Sequence, residues 1–316
     1  MIKQITLEVN DYCNNACIMC NIHLNEWKDK TSPEEYKQMF IRPEFKSLKE
    51  VSITGGEPFS RKDIDKVMDA IIESLPNLEW VFINTNGTYL SKLKDFVETY
   101  VSKVKKLSIS VSLEGKKEVH EKIRGVNSFD TVIKTLEFLS AFSKLHSNFS
   151  FTISTTITPF NANESQLLFI KDTAEKYGST YTFRIAGTSK TYYLNDDSKS
   201  MQLTREQMHS VTKFITENCK SDVFQQFNKK YIETGQTGLT CTAGTDFAFA
   251  RADGNIYPCI FSTRVIGDKK QGVTVTNIAD LGKFEPCPCC TECTVYEMIN
   301  YGPASNLGSS KRIMPK

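Results

Sequence analysis

The chain has 316 residues, 40% of them hydrophobic and 24% charged, enough for a barrel-sized domain with a small appendage. Its 39 basic and 37 acidic residues leave a net charge of +2, which offers no broad attraction to nucleic acid or to an anionic membrane. Residues 1–10 mix Lys3, Gln4, Thr6 and Glu8 among their apolar positions, and no apolar run approaches the roughly 18 residues of a membrane span, so a cytoplasmic protein is expected.

Short apolar runs alternate with helical patterns through residue 185. Strands are expected at 2–9, 50–54, 80–84, 107–113, 149–157 and 181–185, rich in Val, Ile, Phe and Thr and mostly followed by Gly, Asn, Pro or Ser. Between them, Ile64, Val67, Met68, Ile71, Ile72 and Leu75 keep helical spacing. Phe129, Val132, Ile133 and Leu136 do the same behind Ser128, a natural N-cap. Six strand–helix repeats imply parallel strands in an α/β fold, either a doubly wound sheet or a partial barrel. Both gather their sites at the carboxyl ends of the strands. Residues 186–240 read as a bridge, polar at 188–200 and helical from about Thr204 to Cys219. Beyond Thr240 the chain is cysteine-rich, and Asp253-Gly254 should turn a hairpin between 247–251 and 255–258.

The ten cysteines are grouped, which in a reducing compartment points to metal ligation rather than disulfides. Cys13, Cys17 and Cys20 follow the first strand on one short loop. Three thiolates so spaced can hold three irons of a 4Fe–4S cube and leave the fourth open to a ligand. A zinc site completed by His23 would use the same residues. Cys241, Cys259, Cys287, Cys289, Cys290 and Cys293 form a second group, which suits an iron–sulfur cluster or a structural zinc. Cys219 stands alone.

Cys13-x-x-x-Cys17-x-x-Cys20 resembles the cluster motif of the radical S-adenosylmethionine (SAM) superfamily, although Met19 stands where that family often has an aromatic residue. Gly55-Gly56-Glu57-Pro58, after the second strand, resembles the family's GGEP motif. The resemblance implies contact with the SAM amino group, for which a carboxylate is suited. Ser110 to Gly115 is similar to the family's fourth-strand segment beside the SAM ribose, with Ser112 matching and Glu114 replacing the usual Asp. His120 to Gly125 is similar to a stretch whose arginine, here Arg124, meets the SAM carboxylate. Asn84-Thr85-Asn86-Gly87 adds polar groups at the same strand ends, as a plain turn also would.

Cys241, twelve residues, Gly254, four residues and Cys259 resemble the opening of the SPASM and twitch auxiliary-cluster domains. With Cys293 the last cysteine, the shorter twitch type is implied. Its ligands would be Cys241, Cys259, Cys290 and Cys293, with Cys287 an alternative and Cys289 a spare.

The resemblance therefore implies a partial (β/α)6 TIM-like barrel at 1–185, a helical bridge at 186–240 and an auxiliary-cluster domain at 241–316. It implies SAM and two 4Fe–4S clusters as cofactors, and an external reductant of the flavodoxin or ferredoxin type. The expected activity is reductive SAM cleavage to a 5′-deoxyadenosyl radical, which abstracts hydrogen from an unactivated C–H bond. With only twelve residues ahead of Cys13, no peptide-recognition domain is expected there. A small polar substrate of the sugar or aminocyclitol type is thus favoured over a peptide. Dehydrogenation would use the auxiliary cluster as electron acceptor, whereas epimerisation would use Cys219 as hydrogen-atom donor. Arg184, Arg251 and Asp253 are candidate substrate contacts. A peptide-modifying maturase is the alternative within the family; an electron carrier or zinc-stabilised module is the alternative outside it.

Overall fold

The computed structural model describes residues 2–25, 31–187, 189, 192–195, 201–235, 243–244, 246–262 and 265–273. The auxiliary-group residues Cys241, Cys287, Cys289, Cys290 and Cys293 lie outside them.

Six strands run parallel in sequence order: β1 (Gln4–Glu8), β2 (Glu50–Thr54), β3 (Trp80–Thr85), β4 (Leu107–Ser112), β5 (Phe149–Ile157) and β6 (Thr180–Ile185). Every expected strand is present, and the sheet is an unclosed α/β barrel. Helices α1 (Pro33–Phe40), α2 (Ile64–Ser74), α3 (Leu90–Tyr100), α4 (Lys117–Arg124), α5 (Phe129–Ser143) and α6 (Glu164–Tyr177) supply the crossovers. The outward strand residues, among them Leu7, Ile53, Ile83, Ile109 and Ile153, are buried in one core with helix residues such as Val67, Phe96, Leu136 and Ile170. The inner face is closed at the amino ends by Trp80, whose Nε1 donates to Ser108 Oγ at 2.8 Å. It opens at the carboxyl ends.

Two helices follow β6. Helix α7 (Arg205–Asn218) starts at a capping box of Thr204 and Gln207, close to the expected bounds. Helix α8 (Val223–Thr234) was not expected. Its buried residues are Gln225 and Asn228, whose carboxamides reach the Phe183 carbonyl of β6, Asn228 Nδ2 at 2.8 Å. Helix α8 thereby covers backbone that the last parallel strand would otherwise leave unpaired.

The expected hairpin forms as β7 (Phe247–Ala250) and β8 (Asn255–Tyr257), with Gly254 at φ +88° in its turn. Short strands β9 (Gly267–Asp268) and β10 (Gly272–Val273) continue it. Strand β7 pairs parallel with β1, so the described part of the carboxyl-terminal region prolongs the barrel sheet past its first strand. Glu8 reinforces that seam: its Oε2 accepts from Ala252 N at 3.0 Å and Arg251 Nε at 3.4 Å. Arg251 is therefore drawn to Glu8, and Asp253 is used in the turn, where it accepts from Asn255 N. Among the described residues no helix is long and apolar enough to cross a membrane.

Glu8→Ala would leave the Ala252 amide and the Arg251 guanidinium without their buried acceptor. A loss of about 2–3 kcal/mol in denaturant unfolding is expected. Hydrogen exchange should accelerate first at β7 and β8. Glu8→Gln, which keeps an acceptor, should cost less; equal losses would show that this carboxylate does not hold the seam.

Candidate active site

Alternate residues of the parallel strands point inward and line a cavity of about 190 Å³ at the carboxyl ends. Its floor carries Thr6, Ser52, Asn84, Ser110, Ser112, Ser154 and Thr156, with Arg184 of β6 beside Thr156. Cys13, Cys17 and Cys20 form one wall and Gly55-Gly56 another.

The glycines are needed because the cysteine loop lies on them. Gly56 N donates to Asn10 O at 3.0 Å and Glu57 N to Tyr12 O at 2.8 Å. A Cβ on Gly56 would stand 2.0 Å from Tyr12 O, and one on Gly55 2.4 Å from Asn10 Oδ1. Both contacts are far inside van der Waals separation.

Glu57 and Pro58 do not line the cavity. Glu57 is fully buried and accepts from Phe59 N, Thr85 Oγ1 and Asn86 N at 3.0, 2.8 and 2.6 Å. Burial pushes its carboxyl above the usual range, and those donors pull against the shift. The group braces the turn after β3. Pro58 opens a buried 3-10 turn, Pro58–Ser60.

From the braced turn, Asn86 Nδ2 donates to Asn14 Oδ1 at 2.8 Å, and Asn14 Nδ2 donates to Thr88 Oγ1 at 2.9 Å. The cysteine loop is thus held from two sides. Burial raises its thiols, Cys13 to about 11 and Cys20 to about 12. Deprotonating them requires positive charge among the sulfurs. Among the described residues, no three His, Cys, Asp or Glu side chains converge as the ligands of one ion would.

The third wall comes from α4. Arg124 lines the cavity and Nη1 donates to Glu114 Oε1 at 3.2 Å. Glu114 does not face the cavity; its Oε2 accepts from Thr156 N at 2.8 Å. Burial opposes charge on Arg124, but the nearby sulfurs and Glu114 outweigh it and hold the guanidinium protonated. Behind this pair, His120 is wholly buried. Its Nδ1 accepts from Glu114 N at 3.1 Å, so the proton belongs on Nε2, which donates to Ser128 Oγ at 3.0 Å. Ser128 occupies the expected N-cap position of α5, but its side chain makes no capping bond because His120 takes the hydroxyl.

Cys219 sits elsewhere. It is buried at the end of α7, its Sγ 3.6 Å from Tyr181 Oη near the start of β6, the end of the barrel opposite the cavity. Cys259 is buried just beyond β8 in an apolar group with Tyr192, Phe249 and Ile260, against which Cys13 and Cys20 pack.

The polar reading of 188–200 missed a strap across the mouth. Tyr192 Oη meets Gly55 O at 3.1 Å and Thr54 Oγ1 at 3.0 Å. Asn21 N donates to Tyr193 O at 2.8 Å, Asn195 Nδ2 to Met19 O, and Ser189 Oγ to Ile260 O. One segment therefore ties the glycine turn, the cysteine loop and the hairpin together. Leu194 adopts φ +54° within it, a strained state for a non-glycine residue of the kind that clusters at functional sites. The adjacent Tyr192-Tyr193 pair was the signal available in the sequence.

The radical SAM superfamily model matches residues 7–164, half of the chain, and the protein belongs to that superfamily. Over 194 residues it is 28% identical to a GTP 3′,8-cyclase of Nautilia profundicola, spanning 58% of this chain and 55% of that one. Over 275 residues it is 25% identical to the mycofactocin maturase MftC of Mycobacterium tuberculosis, covering 82% and 64%. The chain thus spans about half to two thirds of these relatives. The structure of Streptococcus suis SuiB bound to S-adenosylmethionine matches with a TM-score of 0.62 at 16% identity, over 92% of this chain and 67% of that one. Membership of the superfamily implies SAM and a SAM-binding 4Fe–4S cluster as cofactors.

Two outcomes follow from this geometry. Gly56→Ala should displace the cysteine loop, lowering both the melting temperature and the iron retained after anaerobic reconstitution. Gly178→Ala, at φ +68° with open space around it, should cost only about 1 kcal/mol and spare the iron. His120 is held at about 3 by burial and by Arg124, below its ordinary 6.5. Its contribution to stability is complete above pH 6.5 and drains away as pH falls toward 3, because the unfolded chain takes up the proton first. The stability gap between wild type and His120→Asn should therefore narrow from about pH 7 to pH 4 in urea titrations. A constant gap would contradict a neutral, buried His120.

Proposed function

We propose that this radical SAM enzyme abstracts hydrogen from a small polar substrate held against the inner face of the barrel. The observation that carries the reading is the cavity floor: hydroxyls of successive strands and the Asn84 carboxamide, with Arg184 at its edge. Such groups suit a hydroxyl-bearing or anionic molecule, including the sugar or aminocyclitol class. A GTP 3′,8-cyclase among the relatives supports a small-molecule substrate. The peptide reading draws on a different relative, the maturase matched over 82% of this chain.

The cluster loop fits its group. Three cysteines share one cavity wall, Arg124 stands beside it with its Nε unpartnered, and the glycine turn lines another wall. In this reading Cys13, Cys17 and Cys20 hold a 4Fe–4S cluster. Gly55, Gly56, Asn84, Ser112 and Arg124 face SAM, while Glu57, Pro58 and Glu114 keep those walls in position. Bound together, the cluster and SAM supply the 5′-deoxyadenosyl radical. The chain's own residues orient the substrate, and the strap excludes other quenchers.

Cys259, buried in the apolar group against which Cys13 and Cys20 pack, supports a second, twitch-type cluster completed by Cys241, Cys290 and Cys293. That cluster would accept an electron from the substrate radical, with an external flavodoxin- or ferredoxin-type protein as reductant. Dehydrogenation is favoured over epimerisation, since Cys219 lies at the far end of the barrel. The domain division at 185 and 240 belongs to this reading, amended by the pairing of β7 with β1.

Anaerobic reconstitution should give about eight irons and eight sulfides per chain. Replacing Cys13, Cys17 and Cys20 by Ala should remove about half and abolish 5′-deoxyadenosine release. Cys259→Ala should lose iron yet retain SAM cleavage. Stoichiometric zinc would refute the second cluster, and reductive SAM cleavage by the triple variant would refute the assigned loop.

A further inference from the structure

Of the three residues expected as substrate contacts, the fold uses two elsewhere. Arg251 is drawn to Glu8, and Asp253 holds the hairpin turn. Arg184 is the third. It is half-buried on the inner face of β6 and is the one charged side chain among the described strand residues that line the cavity. Its counterparts on β1 to β5 are hydroxyls and the Asn84 carboxamide.

The charges around the cavity decide what Arg184 can receive. Among the described residues that line it, Arg124 and Arg184 are cationic and none is Asp or Glu. The buried carboxylates nearby are committed to protein. Glu114 gives one oxygen to Arg124 and the other to the Thr156 amide, and Glu57 accepts from Thr85 Oγ1 and Asn86 N. An ammonium group entering this space would meet a guanidinium and no lining carboxylate, and would lose hydration without gaining an ion pair. An anionic group meets the reverse.

The neighbour of Arg184 completes the site. Thr156 stands beside it in register on β5. Its N–H goes to Glu114 and its carbonyl accepts from Asn161 Nδ2 at 2.9 Å, so the backbone is fixed while the residue lines the cavity. A planar guanidinium fork beside a hydroxyl donor matches the oxygens of a carboxylate or a phosphate. Ala186, two residues further along β6, packs against the apolar group of Cys17, Met19, Ile123 and Met201. An anion at Arg184 is therefore anchored about 7 Å of strand below the cysteine loop, on the order of one sugar ring.

We infer that Arg184 is the specificity-determining residue for substrate, and that the substrate carries a carboxylate or phosphate received by Arg184 and Thr156. The inference rests on the small-polar-substrate reading above and narrows it. Within the sugar and aminocyclitol class it selects sugar acids or sugar phosphates and rejects members whose only charge is an amine.

The test uses reconstituted, SAM-bound protein and four probes of one ring: glucuronate, glucose 6-phosphate, glucose and glucosamine. Affinities are read by saturation-transfer NMR on wild type, Arg184→Gln and Arg184→Lys. At least one acid should bind wild type about tenfold more tightly than glucose, with glucosamine no better than glucose. Glucuronate as the tighter acid identifies a carboxylate, and glucose 6-phosphate a phosphate. Arg184→Gln should lose that advantage while SAM affinity falls much less, and Arg184→Lys should restore part of it. Acids that bind wild type no better than glucose, tighter glucosamine, or acids held equally by Arg184→Gln would each overturn the inference. An equal loss of SAM in Arg184→Gln would make Arg184 a cofactor residue and overturn it too. Wild type that takes up no iron or binds no SAM would instead overturn the reading of the site, and this inference with it.

Discussion

The mouth of the barrel depends on one contact without side chains: the backbone of Gly55-Gly56 against the backbone of 10–13. No Cβ fits between them. The contact sets the height of the cysteine loop above the strand ends, and the other walls take position from it. Glu57, next in sequence, turns away from the cavity to brace the turn after β3. That turn returns through Asn86 to Asn14 on the cysteine loop. The circuit closes on itself, so the loop is positioned before any ligand arrives.

Charge in this region is buried but answered. Glu57 has three donors, Glu114 has Arg124 and the Thr156 amide, and Glu8 has Arg251 and the Ala252 amide. An unanswered buried carboxylate would neutralise instead. His120, kept neutral between Glu114 and Ser128, supports the ion pair without adding to its charge. Among the described buried polar atoms without a hydrogen-bond partner, those of Asn15 and Arg124 fall on the cavity wall.

Much of this was legible in the sequence because it is local. The six strands and the hairpin follow from period-two runs bounded by turn residues, and the cysteine spacing and the Gly-Gly pair are contiguous. What escaped is long-range or depends on side-chain direction. Helix α8 does carry Val223, Phe224, Phe227 and Tyr231 at helical spacing behind Asp222, but its buried positions are Gln225 and Asn228, used as donors to β6, so the side it buries is not the one an apolar pattern marks. The strap residues Tyr192 and Asn195 take their place from contacts with residues more than a hundred positions away. That Glu57 faces inward to protein and Cys219 sits at the far end of the barrel are facts of orientation, which a motif does not carry. The parallel pairing of β7 with β1 is likewise invisible to a hairpin pattern.

One sequence feature carried more information than its strand assignment used. Parallel strands covered by helices on one side and packed on the other normally read as unbroken apolar runs. Here they alternate: β4 is Leu-Ser-Ile-Ser-Val-Ser, and β5 sets Ser150, Thr152, Ser154 and Thr156 between Phe149, Phe151, Ile153 and Ile157. In a parallel sheet that alternation means the inner face is not core. The apolar members pack under the helices, and the hydroxyls turn toward a space that must hold something polar. The same alternation holds in β2, with Ser52 and Thr54 inward. It breaks at Phe82 of β3, below Asn84, near the Trp80 plug. The depth of the polar site is therefore written into the strands themselves: it ends where the inward residues become aromatic. Whatever occupies the cavity meets hydroxyls along the strand floor and the apolar side chains of Met19, Ile22, Ile260 and Phe261 on the walls.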